Sequence, residues 1–197
     1  MATPLQITLL LVFILVLLDI FMRNRVSRKL SRLLQTQDYE GVLEYTTHFA
    51  ARFFTHPFPL AMVRLDAYVA LDRNKEAIEL IRQIQTSKHL GKRQRDIANQ
   101  RAFELYLDTG AYKRAGKMLD AIEASDAKQT AQHDRMMYNI IARKSSEYLE
   151  RMLKELPKAK GMERAELLSL ISLQYQNRGN KAKAKHYTEE LEEMKQV

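Results

Sequence analysis

The chain reads as all-α: one apolar helix at the start, then about five helical hairpins. Three observations carry that reading. Residues 5–22, LQITLLLVFILVLLDIFM, are apolar, with no charge before Asp19. Gly and Pro are scarce, six and four in 197 residues, while the strong helix formers Ala, Leu, Lys, Glu and Gln abound. Beyond the apolar run, Leu, Ile, Tyr and Ala recur at helical spacing with a longer period of about 35 residues, separated by short polar breaks.

The first element follows from its length. Eighteen helical residues at about 1.5 Å each cover roughly 27 Å, the hydrocarbon thickness of a bilayer, where only a helix satisfies every backbone group. A buried core helix would show a polar face, which this run lacks. A cleaved signal peptide would carry Lys or Arg before the run and an A-x-A-like site after it. Here Arg23, Asn24 and Arg25 follow instead, a stop-transfer pattern. The expectation is a transmembrane anchor over residues 1–22 and a basic juxtamembrane helix over 23–37. Arg23, Arg25, Arg28, Lys29 and Arg32 would then meet the membrane surface. No Lys or Arg precedes the run, so the positive-inside rule puts the N-terminus outside and the C-terminal domain in the cytoplasm. The compact single-span layout is that expected in a bacterial plasma membrane. Asp19 lies near the cytoplasmic end, within reach of the interface or of Arg23.

Charge and composition narrow the function. The net charge is +8, and all 32 Lys and Arg and all but one of the 24 acids follow the run. A basic domain held near anionic lipid gains about 1 kcal/mol per juxtamembrane Lys or Arg. Residues 87–95 read as a basic loop, without the interleaved aromatics that stack bases, so nucleic acid is not an expected partner. The absence of Cys excludes a disulfide scaffold and Cys-ligated metal, and fits a reducing compartment.

The remaining elements, residues 38–197, repeat. In RLDAYVALDRNKEAIELIRQI (64–84), Leu65, Tyr68 and Leu71 form one helical stripe, and Ala77, Ile78, Ile81 and Ile84 form a second after a turn at 72–74. In FELYLDTGAYKRAGKMLDAI (103–122), Phe103, Tyr106, Gly110, Tyr112, Ala115, Leu119 and Ile122 take the same places. A further copy, SLQYQNRGNKAKAKHYTEEL, has Ser172, Tyr175, Gly179, Ala184 and Leu191. Two degenerate copies run through Leu30, Leu33, Tyr39, Val42 and Phe49, and through Met137, Ile140, Leu149, Leu153 and Leu156. The second helices are expected to start at Tyr39, Asn74, Tyr112, Ser146 and Lys181, separated by 35, 38, 34 and 35 residues.

A tyrosine late in one helix, a glycine in the turn, an aromatic after it and a small Ala at the crossing resemble the tetratricopeptide (TPR) repeat, whose period is 34. The resemblance covers nearly everything past residue 37 and implies a TPR-like α-solenoid. Ala77, Ala115 and Ala184 would let paired helices approach closely and bury the flanking Leu, Ile and Tyr. The chain departs from the pattern in having no Trp, and in placing Leu65, Phe103 and Met137 where a small first-helix residue is usual; only Ser172 conforms. First helices that pack less closely follow from that. Pro57 and Pro59 break one helix and admit the next, as do Pro157 and Gly161. Asp38, Asp126 and Asn180 are candidate N-caps.

No catalytic constellation stands out. His48, His56, His89, His133 and His186 are scattered without H-x-x-x-H or H-E-x-x-H spacing, and no phosphate-binding or nucleophile-elbow motif occurs. The expectation is a non-enzyme with no cofactor or metal. What the resemblance implies is a concave groove lined by first helices. The corresponding positions are Met62, Asp66 and Val69; Gln100, Glu104, Leu107 and Asp108; Asp134, Tyr138 and Ile141; and Ser169, Leu173 and Gln176. The basic residues with which some TPR proteins clamp a partner's C-terminal carboxylate are missing there, and acids occupy several places. The expected function is a membrane-anchored adaptor that binds a protein segment carrying basic and apolar residues, with lipid contacted through the anchor. The alternative is a permanent structural or regulatory subunit of a larger membrane complex. The bland reading of the groove acids is that they only solubilise an inner face.

Overall fold

The computed structural model describes residues 4–125 and 128–195, with the backbone alone at residues 4, 7, 8, 128–130 and 195. Among the described residues it is all-α, without a strand. The helices are α1 (Pro4–Gln35), α2 (Tyr39–Thr47), α3 (Phe49–Phe54), α4 (Pro57–Ala70), α5 (Asn74–Thr86) and α6 (Lys92–Asp108), followed by α7 (Tyr112–Glu123), α8 (Lys128–Ile141), α9 (Leu149–Glu155), α10 (Gly161–Asn177) and α11 (Lys181–Lys195). The chain divides into two compact units, Met1–Ala98 and Asn99–Val197, with the division falling inside α6.

Helix starts follow the sequence period. α2, α5, α7 and α11 begin at Tyr39, Asn74, Tyr112 and Lys181, the expected positions, whereas α9 begins at Leu149 rather than Ser146. The turns explain both results. A residue with left-handed backbone lies two positions before each expected start: Gln37 (φ 54°), Asp72 (54°), Gly110 (74°), Lys144 (56°) and Gly179 (74°). At three of them the next N–H reaches five residues back: Asp38 to the Leu33 carbonyl, Arg73 to that of Tyr68, and Asn180 to that of Tyr175, each at 2.9 Å. These are Schellman ends, which satisfy the last carbonyls of a helix and reverse the chain. After α8 the corresponding bond reaches one residue further, from Ser145 N–H to the Asn139 carbonyl at 2.9 Å. That wider turn delays α9.

In the first unit α1 changes character along its length. Each of residues 9–18 keeps 49–64% of its surface exposed, so this apolar stretch is covered by nothing among the described residues. Asp19 accepts a 2.7 Å bond from Arg23 Nε across one turn, the pairing expected of it. From Val26 onward a stripe at i, i+4 and i+7 is buried. Val26 and Leu30 pack with Ala51 and Leu60, and Leu33 with Val42, Leu43 and Ala67. Residues 23–37 thus continue the same helix and its turn, and α1 pairs with α2. α4 packs on α2 and α5, and α3 is an additional short helix against α1.

Among the described residues no helix is long and apolar enough to cross a membrane. The expected span, residues 5–22, includes Ile7 and Thr8, whose side chains lie outside the description. Counted from Leu9, a stretch of 18 residues takes in Asp19, Arg23 and Arg25.

In the second unit α10 is the central element, contacting α8, α9 and α11. Its Leu168, Ile171 and Tyr175 are buried with Ile140, Leu149 and Met152. Ser172 Oγ lies 2.9 Å from the Ala184 carbonyl, to which it donates, and 2.8 Å from Thr188 Oγ1. Ala77, Ala115 and Ala184 are all buried, as residues at close crossings must be.

The local signals divide. Asp38 caps α2 by accepting from Gly41 N–H at 2.9 Å, and Asn180 caps α11 by accepting from Lys183 N–H at 3.1 Å. Asp126 lies outside the described residues. Pro57 opens α4, and Gly161, at φ 53°, opens α10. The basic loop expected over 87–95 is shorter than that: α6 has already begun at Lys92. Gln94 reaches back to accept from Gly91 N–H at 3.1 Å, half of a capping box, which winds Lys92, Arg93 and Arg95 into the first turn.

Candidate functional site

Within the second unit, α6 carries Gln100, Phe103, Glu104, Leu107 and Asp108. Offsets of three, four, seven and eight place them on one helical face. α8 contributes His133, Asp134 and Met137. The eight side chains line an open recess of about 510 Å³. α8 is held to α7 by a bidentate pair in which Arg135 Nε donates to Glu123 Oε1 at 2.8 Å and Nη2 donates to Oε2. Arg135 is the first cause of the low Glu123 pKa, and Glu123 of the high Arg135 pKa, each favouring the other's charged form.

Gln100 joins the two walls. Its Nε2 donates to Asp134 Oδ1 at 3.1 Å and to Glu104 Oε1 at 3.3 Å. The other oxygen of Glu104 accepts from Arg101 Nη1 at 3.0 Å. Asp134 is 4% exposed, and its Oδ2 is buried without a hydrogen-bond partner among the described residues. Burial pushes the Asp134 carboxyl above the usual carboxylate range; Glu104 adds to the shift, while the Gln100 bond and His133 oppose it. Asp108 is also pushed up, first by burial and then by Glu104. The apolar floor is Phe103 and Leu107, 2% and 4% exposed, with half-buried Met137 beside them.

A buried acceptor left without a donor costs about 1–3 kcal/mol, and more when it is charged. Here it sits beside two further carboxylates and an apolar floor. Glu104 is already matched by Gln100 and Arg101, so the unmet demand of the recess is a donor for Asp134 Oδ2 beside an apolar floor. His133 Nε2 lies 3.5 Å from Glu166 Oε1 and is engaged there. Among the described residues no three His, Cys, Asp or Glu side chains form a cation cage. A larger recess, about 680 Å³, contains Glu123, Arg135, Tyr148 and Arg151. Its charges are already matched, Arg135 by Glu123 and Arg151 by the Tyr148 ring at 5.5 Å.

Of the residues expected in a groove, Gln100, Glu104, Leu107, Asp108 and Asp134 share the smaller recess. Tyr138 does not line it. Four residues advance about 400° around a helix, so Tyr138 stands about 40° round from Asp134. Its hydroxyl donates to the Tyr112 carbonyl at 3.3 Å, at the start of α7, and its ring receives Arg143 at 5.5 Å. Gly116 keeps room for that hydroxyl, since a Cβ there would come within 2.9 Å of it. Leu173 is half-buried against the core of α8–α11. Met62, half-buried, and Asp66, exposed, lie on α4 in the first unit. Arg23, Arg25, Arg28, Lys29 and Arg32 are exposed on α1.

Sequence reasoning missed Phe103, His133 and Met137. Phe103 reads from the sequence only as a repeat position where a small residue is usual, and it serves both core and recess floor. The signal for the other two was their spacing of four, but α8 belongs to a degenerate copy whose rotation a fixed offset of 34 does not capture. Comparison with family models, with curated proteins and with solved structures finds no match for this chain.

Proposed function

We propose that the chain is a membrane-anchored helical-repeat adaptor of the TPR kind, with its hairpins on the cytoplasmic side. It holds a protein segment that carries Lys or Arg beside apolar residues. The observation that carries the binding reading is Asp134 Oδ2, a buried and unmatched acceptor in a recess with two more carboxylates and an apolar floor. Charge would set on-rate and specificity, and the apolar contacts most of the affinity.

Two observations support the rest. The left-handed turn residues recur at the period of the sequence repeat in all five hairpins. Residues 9–18 of α1 are exposed and apolar on every side, and residues 5–22 contain one acid and no Lys or Arg. Of the small residues by which spans pack closely, that run has only Thr8 and no Gly, Ala or Ser, which favours a lone anchor over a permanent subunit.

The test compares proteins captured by the wild-type chain from mild detergent with those captured by a Glu104→Lys, Asp108→Lys double variant. Circular dichroism first establishes that the variant folds. The expected result is loss of a captured partner that survives Lys92→Ala, Arg93→Ala. An unchanged set with the acidic variant, or loss only with the basic one, refutes the recess as the binding site.

A further inference from the structure

We infer that α3 makes a second contact with an anionic bilayer, its exposed Phe49 and Phe53 entering the interface beside the end of the apolar run. The inference rests on the anchored reading of α1 and concerns a different surface. Phe49 and Phe53, one helical turn apart, are 76% and 65% exposed, and their rings stack at 5.3 Å. Two Phe rings bare to water on a six-residue helix cost apolar hydration with no return from the fold.

Position selects the occupant. Ala51, on the inner face of α3, is fully buried with Val26 and Leu30 of α1. Val26 is four residues past Met22, about 6 Å along the axis. A bilayer of about 40–45 Å with a core of about 30 Å leaves interfacial layers of about 5–8 Å on each side. An α1 that spans through Met22 therefore carries α3 at headgroup level.

Composition agrees. Four of the seven Phe lie within residues 49–58, and two more, Phe13 and Phe21, lie in the apolar run. Residues 48–64 and 20–37 contain no acid, whereas Arg52 on α3 and Arg23, Arg25, Arg28 and Lys29 on α1 are exposed. Aromatic side chains with cations beside them match a layer of acyl ends below anionic headgroups. A soluble acidic protein would match the cations but would not explain why the rings stand at the end of an apolar helix.

The chain has no Trp, so one introduced Trp reports its own surroundings. Full-length Phe53→Trp and Phe13→Trp chains are reconstituted in phosphatidylcholine–phosphatidylserine vesicles containing brominated lipids, with Phe49→Trp as a second reporter on α3. The expected result is a blue-shifted Phe53→Trp emission, quenched most by bromine near the glycerol end of the acyl chain. Phe13→Trp emission should be quenched most by bromine near the chain methyl. Solvent-like, unquenched emission from both α3 reporters, with Phe13→Trp still quenched, overturns the inference and leaves the anchor standing. Blue-shifted α3 emission insensitive to brominated lipid assigns the pair to a protein contact and also overturns it. Quenching in the α3 reporters alone sustains the surface contact and removes the span; quenching in none removes both.

Discussion

The five left-handed turns support a two-directional test of the repeat. Gly110 and Gly179 sit at φ 74°, and, their chain neighbours aside, no described residue comes within 4 Å of where a Cβ would stand. Substitution by Ala therefore meets no clash, and its cost is backbone alone. An L-residue held left-handed costs about 1–2 kcal/mol. Ala in place of Gly returns about 0.4–1 kcal/mol by restricting the unfolded chain. Gly110→Ala and Gly179→Ala should each lose about 1 kcal/mol by that difference. Gln37 and Lys144 hold the same conformation without being glycine, at φ 54° and 56°. Gln37→Gly and Lys144→Gly should each gain about 0.5–1 kcal/mol by the reverse balance. Asp72→Gly should gain least, because Asp enters this region more easily. Gln37 and Asp72 belong to the first unit and the others to the second, so each unit carries its own measurement. Thermal unfolding of the full chain in detergent, followed by circular dichroism, reads the change as about 4–8 °C per kcal/mol for a unit near 100 residues. Neutral glycine replacements, or destabilisation by both Gln37→Gly and Lys144→Gly, would refute the equivalence of the turns.

Three further outcomes are expected. Asp134 has a raised folded-state pKa, so the stability it contributes is present below the ordinary Asp value and lost as pH rises through the raised one. Asp134→Asn should therefore unfold at a higher temperature than wild type at pH 7 and converge with it in acid. The same variant should bind a Lys- or Arg-bearing segment more than about tenfold more weakly, the loss of a charged hydrogen bond, as isothermal titration would read. Wild-type binding should weaken as pH falls through the raised pKa values of Asp134 and Asp108. Ala115 is fully buried, so Ala115→Leu should cost about 1–3 kcal/mol by overpacking. Exposed Lys113→Ala should change stability by less than about 0.5 kcal/mol, and chemical denaturation of the two variants reads the contrast. Met162 is 87% exposed, and Met162→Cys would be the sole thiol. It should resist an impermeant thiol reagent in intact cells and react after lysis; labelling in intact cells would reverse the topology.

Much of the fold was legible because the signals that set helix ends are local. The αL turn at Gly179 and the caps at Asp38 and Asn180 are fixed by residues within a few positions, so four of five second-helix starts could be read directly. The fourth could not. Its turn closes through a longer bond from Ser145, and Lys144 takes the left-handed position with no glycine to announce it. α3 was equally silent. His48 has extended backbone between α2 and α3, and nothing in YTTHFAARFF marks a break there. The recess was half legible for a geometrical reason. Face membership along one helix follows from spacing, which gave Gln100, Glu104, Leu107 and Asp108 together. Rotation of α8 depends on how Arg135 grips Glu123 and on where Tyr138 finds the Tyr112 carbonyl, contacts no single-helix pattern contains. Nor does spacing reveal that Asp134 Oδ2 lacks a donor, which depends on the whole neighbourhood.

On the proposed anchoring, the continuity of α1 ties attachment and folding to one element. Between Leu5 and Gln35 there is no Gly, no Pro and no cap, so the helix does not end where its surroundings change. The Asp19–Arg23 pair lies across that change, one turn long. Past it the apolar pattern narrows from the whole circumference to Val26, Leu30 and Leu33, leaving Arg25, Arg28, Lys29 and Arg32 on the remaining faces. Burying each of the three apolar side chains contributes about 1.5–3 kcal/mol, so separating α1 from α2, α3 and α4 would cost several kcal/mol. The first unit is therefore joined to the apolar half of α1 by a helix that is itself part of its core, with no flexible linker between them. The same three residues that secure this packing determine which way the basic side chains face. A substitution at Val26 would disturb both.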